Sequence, residues 1–255
     1  MRGGGAPAAA VITTARSHGV GGAMGGIRGG LAILAILGAT GAAGSEGGPA
    51  TGLLAGQVTL EGPAPVLTAV PAGKDRWFCG AWRVPAALRI GPGGAVADAL
   101  VVPEGDGFPR AATPARLRLD NRDCEFAPRV QVAPLGSRMD VRTSDPILHT
   151  AHAWLDRRET LFHVALPVFL SRRTVRLDRP GLVTIECDVG HTWMRAFVWV
   201  TETGLAAVTD ANGHFRLPRV PAGRYRLRVW HEVLGERTLT VALAPGKQTS
   251  LAVRF

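Results

Sequence analysis

The sequence predicts an all-β protein on three observations: short runs in which apolar and polar residues alternate, glycine and proline punctuation between those runs, and no stretch with a helical period. Many short strands separated by regular turn signals describe a β-sandwich or barrel. Of the 255 residues 46% are hydrophobic, enough to bury a core in one large β domain or two smaller ones.

The first segment stands apart from this pattern. Arg28 precedes the apolar run Leu31 to Leu37, and small residues from Gly38 to Gly44 follow, the charged, apolar, small order of a secretory signal. The run is too short to span a bilayer comfortably, and no cysteine follows it to take a lipid. Residues 1–44 are therefore expected to be an export signal cleaved after Ala43 or Gly44, with Met24 as an alternative start after the Gly/Ala-rich preamble. The mature protein is expected to be periplasmic or secreted, with no membrane span. Cleavage would remove Arg2, Arg16 and Arg28 and no acidic residue, lowering the formal charge of +9 by three.

Gly56-Gln57-Val58-Thr59-Leu60 is the first alternating run. A turn follows at Gly91-Pro92-Gly93-Gly94. Arg116-Leu117-Arg118-Leu119 and Arg129-Val130-Gln131-Val132 alternate again, and Pro134-Leu135-Gly136 turns into a strand over residues 137–143. Pro180-Gly181 opens a strand that puts Val183, Ile185 and Cys187 on one face and Leu182, Thr184 and Glu186 on the other. Ala196 to Val200 is the next strand.

A seam is expected near Thr201 to Gly204, separating a domain over 45–203 from a module over 204–255. In the module, Ala207 to Leu217 reads as strand, turn at Asn212-Gly213, strand. Arg224 to Trp230 alternates arginines with Tyr225, Leu227 and Val229, and Arg237–Leu243 and Thr249–Phe255 flank the turn Ala244-Pro245-Gly246-Lys247. A piece of about fifty residues is marginal as an independent domain, so it is expected to pack against the preceding one.

The charge of +9 invites a nucleic-acid reading. The only lysines are Lys74 and Lys247, however, and the arginines alternate along strands instead of clustering, so they are read as solvated strand faces and no nucleic-acid partner is expected. No Gly-rich phosphate loop, Ser/His/Asp signature or haem-attachment Cys-x-x-Cys-His is present, and no enzymatic activity is expected.

Chemistry concentrates in Cys187-Asp188-Val189-Gly190-His191-Thr192-Trp193-Met194. Cys187 ends a strand, where a sheet can fix its sulfur, and three donors follow within one short loop. A thiolate, imidazoles and a weak thioether are the ligands of a mononuclear blue-copper site, which needs a second histidine from elsewhere. Asp145-Pro146-Ile147-Leu148-His149-Thr150-Ala151-His152 offers two, His149 and His152. Zinc also takes Cys and His, but the soft thioether of Met194 favours one copper ion. The plain alternative is that Cys187 and Met194 merely fill a core. With Cys187 assigned to a metal, Cys79 and Cys124 remain. An oxidising compartment favours their pairing, worth roughly 4 kcal/mol in loop entropy, two buried free thiols being the alternative.

These residues resemble the cupredoxins, Greek-key β-sandwich copper proteins in which a histidine from one strand meets a Cys...His...Met loop. That resemblance implies His149, Cys187 and His191 as equatorial ligands, Met194 as the weak axial one, and single-electron transfer between redox protein partners, cytochromes among them. The loop is also similar to that of the binuclear centres of cytochrome oxidase subunit two and nitrous oxide reductase, but Val183 stands where those have a second cysteine. From about Leu53 onward the chain resembles exported bacterial cupredoxin-like proteins, some labelled methylamine-utilisation-like. The segments that carry this are Cys79-Gly80, Cys124 to Val130, Ser144 to His149, Cys187 to Met194 and Trp230-His231-Glu232. The module from Gly204 is similar to the carboxypeptidase-regulatory-like or transthyretin-like β module.

There are two departures: Thr150 follows the first histidine where cupredoxins often have asparagine, and Phe162-His163 stands where the wider family has asparagine. His163, His214 and His231 are expected to be surface or hydrogen-bonded core residues, and Trp154, Trp193, Trp199 and Trp230 core or seam residues. Two other readings use the same sequence: a metal-free binding or structural sandwich for carbohydrate or protein, and a periplasmic copper sequestration or delivery protein.

Overall fold

Alternation fixes which face of each strand is buried, and pairing then decides which faces meet. The computed structural model describes residues 50–110 and 113–255, so the expected signal at 1–44 lies outside the described residues. In the first of two sandwiches, a five-stranded sheet runs in the order Glu159–Leu166, His149–Leu155, Gly181–Glu186, Arg195–Thr201, Val130–Pro134. It faces a four-stranded sheet in the order Arg172–Leu177, Ser137–Thr143, Arg116–Arg122, Glu125–Ala127. Leu119, Met139 and Val141 from one sheet share a core with Ala153, Val183, Ile185 and Val198 from the other. Each fully buried Val, Leu or Ile contributes roughly 1.5–3 kcal/mol.

The second sandwich gathers strands from both ends of the chain. Thr51–Thr59 lies between His214–Pro221 and Gln248–Arg254, and Leu100–Glu104 lies between Ala207–Val208 and Gly223–His231, which pairs in turn with Gly235–Leu243. Leu54, Val58, Phe215 and Val253 from the first sheet meet Val101, Leu227, Val229 and Val241 from the second. The strand pairing therefore does not follow a cut near residue 204: two strands that precede the first sandwich complete the C-terminal sheets, and they supply core that about fifty residues alone would lack. The turn at Asn212-Gly213 forms, with the Asp210 carboxylate accepting from the N–H of Asn212 and of His214 at 2.9 Å each. Its flanking strands join different sheets instead of forming a hairpin.

The two sandwiches meet through Leu100, Val130 and Phe197, with Trp199 and Trp230 packed against them. Beside this seam Arg129 pairs with Glu232, both side chains nearly shielded from water, and Arg129 also donates to the carbonyl of Ala86. Among the described residues no helix is long and apolar enough to cross a membrane.

A small flap covers one end of the first sandwich. Val70–Pro71 pairs with Trp82–Arg83, and the loop they close holds two single turns, Gly73–Asp75 and Arg76–Cys79. Cys79 is disulfide-bonded to Cys124, which joins the flap to the hairpin between Arg116–Arg122 and Glu125–Ala127. Asp123 and Cys124 turn that hairpin with φ of 54° and 59°, the left-handed pair a two-residue hairpin turn requires.

Candidate metal centre

Strand parity delivers the first donors. His149, Ala151 and Ala153 face the core, whereas His152 and Trp154 fall on the opposite face. Cys187 follows the last residue of Gly181–Glu186, in phase with buried Val183 and Ile185. The loop after it is closed by the N–H of Met194 donating to the carbonyl of His191 at 2.9 Å, and Gly190, at φ 98°, takes the conformation that turns the chain back.

Three donor atoms converge. The Nδ1 atoms of His149 and His191 lie 3.3 Å apart, and Cys187 Sγ is 3.9 Å from the first and 3.6 Å from the second. A first-row ion held about 2.0–2.1 Å from imidazole nitrogen and about 2.3 Å from thiolate, the lengths known for zinc, separates its donors by about 3.3–3.8 Å. The triangle fits one such ion. Met194 is buried beside them and lines the same small cavity as Cys187 and His191. Its thioether is the soft donor that suits copper over zinc.

The outer nitrogens of both imidazoles are taken by carboxylates. His149 Nε2 is 2.9 Å from Asp145 Oδ2, and His191 Nε2 is 2.9 Å from Asp75 Oδ2. Each bond leaves the ring's Nδ1 free to ligate, the usual arrangement behind a metal-bound histidine. Asp145 also accepts from the N–H of Asp123 at 2.8 Å and of Cys124 at 2.9 Å. Burial works to raise the Asp145 carboxyl, but the bonds from His149 and the two backbone N–H groups outweigh it and hold it below the usual carboxylate range. Asp75 is likewise lowered against its own burial, by Lys74 and His191.

Burial would also raise the Cys187 thiol. Hydrogen bonds from His149, His191 and the backbone N–H groups of Thr150 and Val189 bring it down instead to about 6, which favours the thiolate, the form able to bind a metal, at neutral pH. Burial tends to lower His149, and Asp145 and Cys187 reverse that, leaving it raised. Trp193 packs 5.1 Å from the His191 ring, centroid to centroid, and donates its indole N–H to the carbonyl of Cys124 at 2.8 Å.

Thr150 does part of the work its departure from asparagine put in question. Its N–H approaches Cys187 Sγ at 3.5 Å, and its Oγ1 accepts from the N–H of Asp188 at 2.7 Å, tying the strand of the first histidine to the loop of the cysteine. Of the residues expected at the site, the structure brings together His149, Cys187 and His191 with Met194 alongside. The alternative ligand His152 does not join them, because its strand position turns it to the outer face, where Nδ1 meets Asp188 Oδ2 at 2.7 Å. The Cys79 to Cys124 disulfide is formed. His231 is a buried acceptor for the N–H groups of Val233 and Leu234.

Sequence reading missed both partner carboxylates. Asp145 sits four residues before His149, a spacing that offered a signal, whereas Asp75 is 116 residues from His191 and offered none.

Residues 188–255 match the family of carboxypeptidase regulatory-like domains, a match that begins in the loop after Cys187 and runs to Phe255. Among solved structures, the chain is similar to a copper-containing nitrite reductase from Thermus scotoductus (21% identity, TM-score 0.31), with 39% of this chain and 25% of that one covered. It thus spans about a quarter of that enzyme's length. A purple cupredoxin from Nitrosopumilus maritimus is 17% identical with TM-score 0.29, over 33% of this chain and 99% of that one. A Sinorhizobium pseudoazurin is 21% identical with TM-score 0.28, over 34% and 75%. No curated protein matches the chain.

Proposed function

We propose that this chain is an exported electron carrier with one tightly held copper ion, bound by His149 Nδ1, Cys187 Sγ and His191 Nδ1 with Met194 as a weak fourth donor. The observation that carries the reading is the buried triangle of one thiolate and two Nδ1 atoms, each imidazole fixed from behind by a carboxylate. Copper bound there would alternate between Cu(I) and Cu(II), one electron at a time. The protein's part is to hold its donors still. His149 and Cys187 come from adjacent strands, Thr150 links them, and Asp145 and Asp75 prevent the rings from turning.

Donors that are at most 5% exposed are poorly placed to pass an ion to another protein, which favours a carrier over a delivery role. The disulfide agrees with an oxidising compartment, periplasmic or extracellular, and with residues 1–44 as the export signal. Redox proteins such as cytochromes would be the partners, with the C-terminal strands serving as a structural module.

Adding Cu(II) to the metal-free protein should produce an intense visible band from the thiolate-copper bond, and Cys187→Ser should abolish it. A colourless copper complex, or a band that survives Cys187→Ser, sinks the reading. Reversible one-electron voltammetry of the copper-loaded chain is the second expected result.

A further inference from the structure

On the outer face of the same sheet, two histidines and an aspartate that the copper reading leaves idle lie together. His152 and His163 are directly opposed on antiparallel strands, their rings stacked with centroids 4.4 Å apart and planes 14° from parallel. Asp188 Oδ2 lies 2.7 Å from His152 Nδ1 and 3.3 Å from His163 Nε2. One donor atom from each of the three lies within 4.8 Å of the others.

A β-bulge makes this arrangement. The register slips between Thr160 and Phe162, so Leu161 is the extra residue. Three residues apart, Thr160 and His163 would face opposite ways on a regular strand, and the inserted residue puts both on the face of His152. His163 then stacks on His152 while Thr160 Oγ1 holds His152 Nε2 at 3.0 Å. Trp154 backs the other side of the His152 ring at 3.9 Å. Asp188 is fixed through its N–H to Thr150.

We infer that His152 Nδ1, His163 Nε2 and the Asp188 carboxylate form a second, solvent-open metal site for a borderline divalent ion, Zn²⁺ or Cu²⁺. Two nitrogens and one carboxylate oxygen are donors suited to these ions, and without sulfur they offer little to Cu(I). Half-exposed His163 and Asp188 leave room for water to complete the coordination, as at open zinc sites with three protein ligands. As the residue after Cys187, Asp188 carries this site within one peptide bond of the buried one. The site does not depend on the copper reading, since it shares no donor with the triangle.

Zn²⁺ titrated calorimetrically into the metal-free full-length protein tests the inference, because zinc binds thiolate and imidazole sites alike. Two equivalents are expected for the wild type and one for His163→Ala and for Asp188→Asn, whose side chains are exposed enough to be replaced without unfolding the sheet. The visible band with Cu²⁺ should persist in His163→Ala. If all three proteins take the same number of zinc equivalents, the outer site does not exist. Failure of the wild type to show the copper band would instead refute the buried centre alone, because the zinc count in His163→Ala is read separately.

Discussion

Releasing the flap should uncover His191 and cost the protein a predictable share of its stability. The perturbation is the double substitution Cys79→Ala with Cys124→Ala. The bridge joins residues 45 apart in sequence, and closing a loop of that length removes about 4 kcal/mol of chain entropy from the unfolded state. Against a total stability on the order of 5–15 kcal/mol, the variant should remain folded but unfold at a clearly lower urea concentration. The local effect follows from position: Asp75 lies four residues before Cys79, and its carboxylate is what covers His191 Nε2. Once the bridge is gone, the flap is held by Arg83, which donates to the carbonyl of Asp123 at 2.8 Å and reaches Glu125 at 3.3 Å, by the Asp75 contact to His191, and by Val70, Ala72 and Phe78 packed on the sandwich core. The Arg83 contacts are partly exposed and worth about 1 kcal/mol or less each, so the bridge is the strongest single tie. Acylation of histidines by diethylpyrocarbonate, read by peptide mass, should therefore spare His191 in the wild type, where it is 1% exposed, and modify it in the variant. His163, half exposed, serves as the reactive control in both. If stability falls as expected but His191 stays as protected as before, the disulfide does not anchor the cover of the site.

Three further outcomes are expected. His231 is buried, and that burial, reinforced by Arg129, lowers it to about 4. With a folded value below the unfolded 6.5, stability is complete above pH 6.5 and declines as pH falls toward 4, by about 3 kcal/mol at most. His231→Asn, which retains an acceptor in place of Nδ1, should remove that part of the slope in urea unfolding between pH 6.5 and 4; an unchanged slope would show the dependence to come from other groups. Thr150→Val strips the acceptor from the Asp188 N–H and should cost about 1–3 kcal/mol by denaturant unfolding, while Thr150→Ser should stay near wild type. Equal losses in the two variants would mean that the hydroxyl is not what matters. Arg129→Met leaves Glu232 buried without its partner and should cost about 3–5 kcal/mol, most of it regained in the double variant with Glu232→Leu. A double variant no more stable than the single one contradicts the ion-pair account.

What could be read in the sequence was what depends on local order. Alternation from Leu182 to Cys187 set the face on which the sulfur lies, and cysteine parity in an export context pointed to the bridge that forms. The β character of nearly every segment was legible for the same reason, although strand ends moved by a few residues. Pairing between distant strands leaves no local trace. Thr51–Thr59 alternates in the same way whether its neighbour is the next strand or Gln248–Arg254, with which it runs parallel. The Asn212-Gly213 turn was legible as a turn, but only tertiary packing sends its two arms into separate sheets. His163 looked ordinary because a strict two-residue period places it away from Thr160, and nothing in the period announces the bulge at Leu161.

The carboxylates, read together, give the disulfide's location a reason. The hairpin carrying Asp123 and Cys124 reaches the proposed metal centre by three routes. Its two N–H groups orient Asp145 behind His149, its disulfide positions the flap whose Asp75 stands behind His191, and its Cys124 carbonyl receives the indole of Trp193 from the ligand loop itself. One tight turn thus constrains both imidazoles and the loop between Cys187 and Met194. A bridge elsewhere in the sandwich would restrict the unfolded chain to a similar degree, since that effect depends only on loop length. Placed here it also fixes the donors, and under the proposed electron-transfer reading donors that cannot relax would change little as a bound ion changes charge.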